Sequence, residues 1–303
     1  MPAAGLFGCI QPDEAVEHFQ KALALWPESA TSHGGLGAAL FQKGHMDEAI
    51  IQYQKALEIK PDFAAAAEAH SNLGYALVQK GQIDEAISQF QKALEIKPNL
   101  AEVHNNLGYS LLQIGRVDEA IIEYQKAQAL WPESANFHTG LGNALVQKGH
   151  MDEAIIQYRE ALALQPKSAD ACERLGNAFR RKGMAAEAMA CYQKAIELQP
   201  QFIPAQVNLA WMLATWPEPS VRNGGKAVAL AEQANQFSQD KDPPILRTLA
   251  AAYAEAGRFP EAVLTAKQAL ALAAAQPNTG LTNELQTEIG LYQTNSPCRS
   301  TNN

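Results

Sequence analysis

The chain has 303 residues, 47% of them hydrophobic, with a formal net charge of −8 at pH 7. That apolar content supports a substantial core and excludes wholesale disorder, and the negative balance has the wrong sign for a protein that neutralises phosphates, so nucleic acid is not an expected partner. Cys9, Cys172, Cys191 and Cys298 form neither a CxxC pair nor a zinc-ligand spacing, and no apolar run approaches bilayer length; reduced thiols, a cytoplasmic setting and no direct membrane insertion are expected.

The chain opens on MPAAGLFGCI. The LFGC stretch superficially resembles the end of a lipoprotein signal, but it lacks a basic leader and is too short, so it reads as part of a helix. Leu6 and Phe7 align with Leu40 and Phe41. Residues 1–27 are therefore expected to be a partial first repeat, either truncated or continuing a longer parent protein.

Self-similarity then dominates. DEAVEHFQKALALWP begins at 13 and returns, varied, at 47, 84, 118, 152 and 186, at intervals of 34, 37, 34, 34 and 34 residues. Between these segments recur HGGLGAALFQKG, HSNLGYALVQKG, HNNLGYSLLQIG, HTGLGNALVQKG and CERLGNAFRRKG. Each unit holds two helical patterns, helix A and helix B. In residues 99–132, Leu107, Gly108 and Leu111 share one face of helix A, and Gly115 ends it. Helix B carries Ala120, Tyr124, Ala127 and Leu130 before Pro132 stops it. Neither helix buries its apolar face alone, so neighbouring units must stack.

The period, the LG pair, the turn glycine, the Ala–aromatic–Ala helix and the closing proline resemble the tetratricopeptide repeat family over residues 3–276. The resemblance implies an all-α fold: a right-handed α-solenoid of stacked antiparallel helix pairs with a C-terminal capping helix. One departure is position 4 of helix A, where the family favours an aromatic and this chain has His33, His70, His104, His138 and Cys172. Five units are expected at 28–61, 62–98, 99–132, 133–166 and 167–200. In the second of these, three extra residues should lengthen helix A by almost a turn, with Asp62 as its N-cap. A divergent repeat with a long turn follows at 201–242, then a last repeat at 243–276 that Asp242 caps and Pro243 starts. Leu281, Leu285, Ile289 and Tyr292 mark a capping helix over 280–292, and 293–303 should fray. The divergent C-terminal pattern resembles the ends of repeat-rich bacterial proteins.

Catalytic and metal readings are weak. Equivalent histidines in stacked repeats lie about 10 Å apart, too far to share an ion. The recurrent Asp–Glu pairs open each helix B, where acids favour the positive end of the helix dipole. No phosphate loop or nucleophile motif is present, and a redox role for Cys172 and Cys191 has little support. The chain reads as a non-enzyme without metal or cofactor.

The resemblance implies that helix A lines a concave groove. With positions 4, 7, 8 and 11 packed inside, position 6 presents Asn72, Asn106 and Arg174, position 9 presents Tyr75, Tyr109, Asn143 and Asn177, and position 13 presents Gln79, Gln113, Gln147 and Arg181. Asn105 joins from position 5, where lysines that a two-carboxylate clamp would need are absent. Amides both donate to and accept from an extended peptide backbone. Asn72, Asn106 and Asn208 resemble, incompletely, the asparagine ladder of O-linked N-acetylglucosamine transferases. The expectation is a scaffold that binds a protein or extended peptide; a solvated polar face is the bland alternative. Two others are the substrate-docking region of a larger enzyme such as a glycosyltransferase, and a homo-oligomer assembled through an apolar edge at Leu6, Phe7 and Phe19.

Overall fold

A computed structural model describes residues 11–62, 65–239, 241–275 and 279–300. The opening segment with Leu6 and Phe7 lies outside the described residues. Regular structure among those described is helical throughout. Helices α1 (Pro12–Leu25), α2 (Ala30–Gln42), α3 (Met46–Ile59), α4 (Ala66–Gln79), α5 (Ile83–Ile96), α6 (Ala101–Gln113), α7 (Val117–Leu130) and α8 (Ala135–Lys148) lead to α9 (Met151–Leu164). They continue as α10 (Ala169–Arg181), α11 (Ala185–Leu198), α12 (Ile203–Thr215), α13 (Gly224–Phe237), α14 (Pro243–Glu255), α15 (Phe259–Ala274) and α16 (Thr279–Gln293). Contacts divide the chain into two units, Met1–Gln157 and Tyr158–Asn303. In each, helices pack with their neighbours in sequence as stacked antiparallel pairs, an all-α solenoid architecture.

Local chemistry sets the helix ends. Ser29, Ser168 and Asp242 accept hydrogen bonds from the backbone N–H three residues on, at 3.2, 3.1 and 3.2 Å, and so cap α2, α10 and α14. Gly115 turns the chain between α6 and α7 at φ +79°, a left-handed value that a Cβ opposes. The acids that open helix B also join adjacent pairs: Asp13 to Lys43 at 2.6 Å, Asp47 to Lys80, and Asp118 to Lys148 at 2.8 Å.

Packing inside a pair turns on one aromatic ring. Tyr124 of α7 is 2% exposed, and it sits between two glycines. A Cβ at Gly108 of α6 would lie 3.2 Å from the ring, and one at Gly140 of α8 would lie 2.4 Å from it. Burial of such a ring contributes about 2–3 kcal/mol, available only because position 8 of its own pair and position 6 of the next leave room. Position 6, expected to belong wholly to the groove, is therefore partly a packing position. Phe19, expected on an exposed apolar edge, instead packs on Gly35, where a Cβ would come within 2.3 Å of its ring.

Two further expectations are corrected. Asp62 does not cap α4: the N-cap is Ala65, with no side-chain cap hydrogen bond, and α4 has 14 residues against 13 for α2 and α6. The extra residues lengthen the connection more than the helix. Nor does the tail fray as far as it is described. Cys298 is buried and Ser300 N donates to Thr215 O at 2.9 Å, because hydrogen bonds and an ion pair hold it to the second unit.

The long turn after α12 is organised by Arg222. Its Nη1 donates to Trp216 O and Pro217 O at 2.8 and 2.7 Å, and its Nε donates to Glu255 of α14 at 2.9 Å. Asn223 then caps α13. Helix α16 packs on α15 and α14, burying Leu285, Ile289 and Tyr292. No helix among the described residues is long and apolar enough to cross a membrane.

Candidate peptide-binding face

In the first unit α2, α4, α6 and α8 are the A helices, and the polar rows of the last three meet around one cavity of about 460 Å³. Tyr75, Gln79, Asn105, Asn106, Tyr109 and Asn143 line it, with Asn136 and Thr139 of α8 added. Buried Phe90 and Tyr124 form its floor. Tyr109 is 47% exposed, which is high for an aromatic with this much apolar area. Tyr75 is half-buried and held edge-on by Phe41, ring centroids 5.4 Å apart. Asn105 donates to Asn106 Oδ1 at 3.3 Å, which aligns the two amides. The wall thus offers amide donors and acceptors beside two tyrosine faces, a combination that suits an extended backbone.

Gln113 and Gln147 stand exposed at the C-terminal ends of α6 and α8, outside that lining. Asn72, half-buried, is also outside that lining.

In the second unit α10 carries Arg174, Asn177 and Arg181. Asn177 accepts the Tyr192 hydroxyl at 2.7 Å and donates to Glu173 at 2.6 Å. Asn208 of α12 donates to the same two side chains, at 2.8 Å to Glu173 and 3.2 Å to Asn177. Burial pushes the Glu173 carboxyl up, against the pull of Asn177 and the nearby arginines. These asparagines therefore close a network of their own. Arg174 Nε donates to Asp170 at 2.7 Å, an ion pair within α10, and Arg181 is exposed.

The position-4 histidines are staples. His33, His104 and His138 each set Nδ1 against a helix-B side chain 19 residues on (Gln52, Glu123, Gln157) at 2.7, 2.6 and 2.9 Å. Their Nε2 atoms reach the carbonyls of Pro27, Pro98 and Pro132 at 3.0, 2.8 and 3.0 Å. His70 repeats the first contact with Gln89 at 2.7 Å, and Gln206 repeats the second with Pro200 O at 2.7 Å. Sequence reasoning placed these residues beside the core but missed the partners. The signal was present: Gln or Glu recurs 19 residues after each histidine, and proline six residues before several. Burial raises the Cys172 thiol and lifts Cys191 to about 11, so neither is a ready nucleophile.

Residues 28–215 match the family model described as the Cilia and flagella-associated protein 70 C-terminal domain, a tetratricopeptide repeat (TPR) family. The chain belongs to this TPR family. No curated protein matches it in sequence. Among solved structures, YrrB, described as a TPR protein with an unusual peptide-binding site, aligns at 28% identity with a TM-score of 0.54, covering 63% of this chain and 97% of YrrB. MamA aligns at 28% identity and 0.51, covering 55% and 95%. A chain of the APC/C hetero-tetramer Cut9–Hcn1 aligns at 18% identity and 0.59, covering 92% and 46%, a likeness of fold alone. Membership of the TPR family makes a protein-interaction scaffold the general class of this chain.

Proposed function

We propose that this TPR chain is a non-enzymatic scaffold that holds an extended segment of a partner protein against the A helices of its first unit. The cavity beside Tyr75, Asn105, Tyr109 and Asn143 carries this reading. Two tyrosine faces give apolar contact at low entropic cost, and the amides pair with backbone groups without demanding a particular side chain. The likeness to YrrB, itself described by its peptide-binding site, supports the same assignment. Nothing in this mode of binding calls for a cofactor.

The test is selection of peptides from a random display library on the full chain. Peptides so selected should bind with micromolar affinity and lose at least tenfold on Tyr75→Ala/Asn105→Ala/Tyr109→Ala, while helicity and melting temperature hold. Equal binding to the triple variant would place the site elsewhere.

A further inference from the structure

The segment after α16 occupies the second unit in the manner of a bound peptide. Asn295 takes the left-handed conformation (φ 56°), its N–H reaching Tyr292 O at 3.1 Å while Ser296 N–H reaches Leu291 O at 2.9 Å. This is a helix-ending motif that turns the chain back on itself. Cys298 is then buried, 3.2 Å from the Tyr292 hydroxyl. Arg299 Nη1 lies 2.8 Å from Glu255 Oε2 and 3.4 Å from Ala214 O. Ser300 donates from its backbone to Thr215 O at 2.9 Å, and its hydroxyl pairs with that of Thr215.

The receiving residues share a register. Thr215 and Glu255 are position 13 of α12 and α14, the position that Gln79, Gln113 and Gln147 hold in the first unit. Each supplies something a peptide can use. Thr215 ends its helix, so its carbonyl lacks an intrahelical donor. Glu255 is only 15% exposed and anchored on its other oxygen by Arg222 at 2.9 Å, which leaves Oε2 facing the incoming arginine. A carboxylate set between a scaffold arginine and a ligand arginine selects for positive charge.

We propose that the position-13 end of α12 and α14 is a binding site for an extended segment bearing arginine followed by a hydroxyl residue, filled in cis by Cys298–Ser300 and open to competition from a partner segment of the same chemistry. The site shares no residue with the first-unit cavity and stands independently of it.

Cys298 is its built-in reporter, since burial lifts its thiol to about 11 and hides it from reagents. The full chain is treated with a maleimide and modification of Cys298 is followed by mass spectrometry. Modification in the wild type should be at least tenfold slower than in Arg299→Ala, and excess synthetic peptide spanning 295–301 with Cys298→Ser should accelerate it. Fluorescently labelled, that peptide should bind Arg299→Ala at least tenfold more tightly than wild type, and adding Glu255→Gln or Thr215→Val should remove the gain while melting stays cooperative. Wild-type modification as fast as in Arg299→Ala, or no gain in peptide binding by that variant, overturns the proposal.

Discussion

Tyr192 donates its hydroxyl to Asn177 Oδ1 at 2.7 Å, so a polar residue of the A-helix rows is held by the core ring behind it. Polarity at the right register is thus not enough to make a ligand contact. Asn177→Ala leaves a buried hydroxyl without that acceptor and also removes a partner of Asn208. Stability should fall by about 1–3 kcal/mol in urea denaturation. Tyr109→Ala, on an exposed ring, should cost under about 1 kcal/mol and show its effect in peptide binding.

His104 and Glu123 form the one His–Glu version of the staple among the described pairs, at 2.6 Å. Burial pushes the Glu123 carboxyl up, but hydrogen bonds from His104 and Lys126 and the Lys126 charge outweigh it, and the group sits below its ordinary 4.5. A depressed carboxyl stabilises the fold above its unfolded value and loses that contribution as pH falls through the folded one. Glu123→Gln recreates the His–Gln pair of the other repeats, and should cost about 1 kcal/mol at pH 7. The gap to wild type should close between about pH 5 and pH 3, as followed by denaturation at stepped pH.

Gly140→Ala and Gly290→Ala should have opposite signs. A methyl at Gly140 would sit 2.4 Å from the Tyr124 ring, whereas nothing lies within 4 Å at Gly290 in the exposed part of α16. The first should destabilise by about 1–3 kcal/mol through overpacking. The second should stabilise by about 0.5–1 kcal/mol through helix propensity. Thermal melts of the two variants read both signs.

Arg247 of α14 reaches Glu284 at 2.5 Å and Glu288 at 2.7 Å in α16, and its guanidinium lies 4.6 Å from the centre of the Trp211 ring. Glu288 is 6% exposed, so Arg247→Leu leaves a buried carboxylate and should cost about 3–5 kcal/mol. Glu288→Gln in the same chain should recover much of that. Burial already raises the Glu288 carboxyl in the native fold despite Arg247. A raised carboxyl destabilises as pH climbs through its folded value, so the Arg247→Leu deficit should be smaller at pH 5 than at pH 8, as chemical denaturation at the two values would show.

The sequence by itself determined the architecture, because period, small-residue spacing and turn glycines are local constraints written into every unit. A ring at Tyr124 needs Gly108 beside it, and both recur in step. It also gathered six side chains, from Tyr75 to Asn143, that the structure brings around one cavity. Tertiary structure alone decided which polar residues are engaged. Asn177 bonds Tyr192 of α11 and Asn208 of α12. It alone decided where Cys298–Ser300 goes. Helical periodicity fixes which way a side chain points, but hydrogen bonds between helices, and the return of a non-helical segment onto Thr215 and Glu255, depend on distances set only when the stack is assembled.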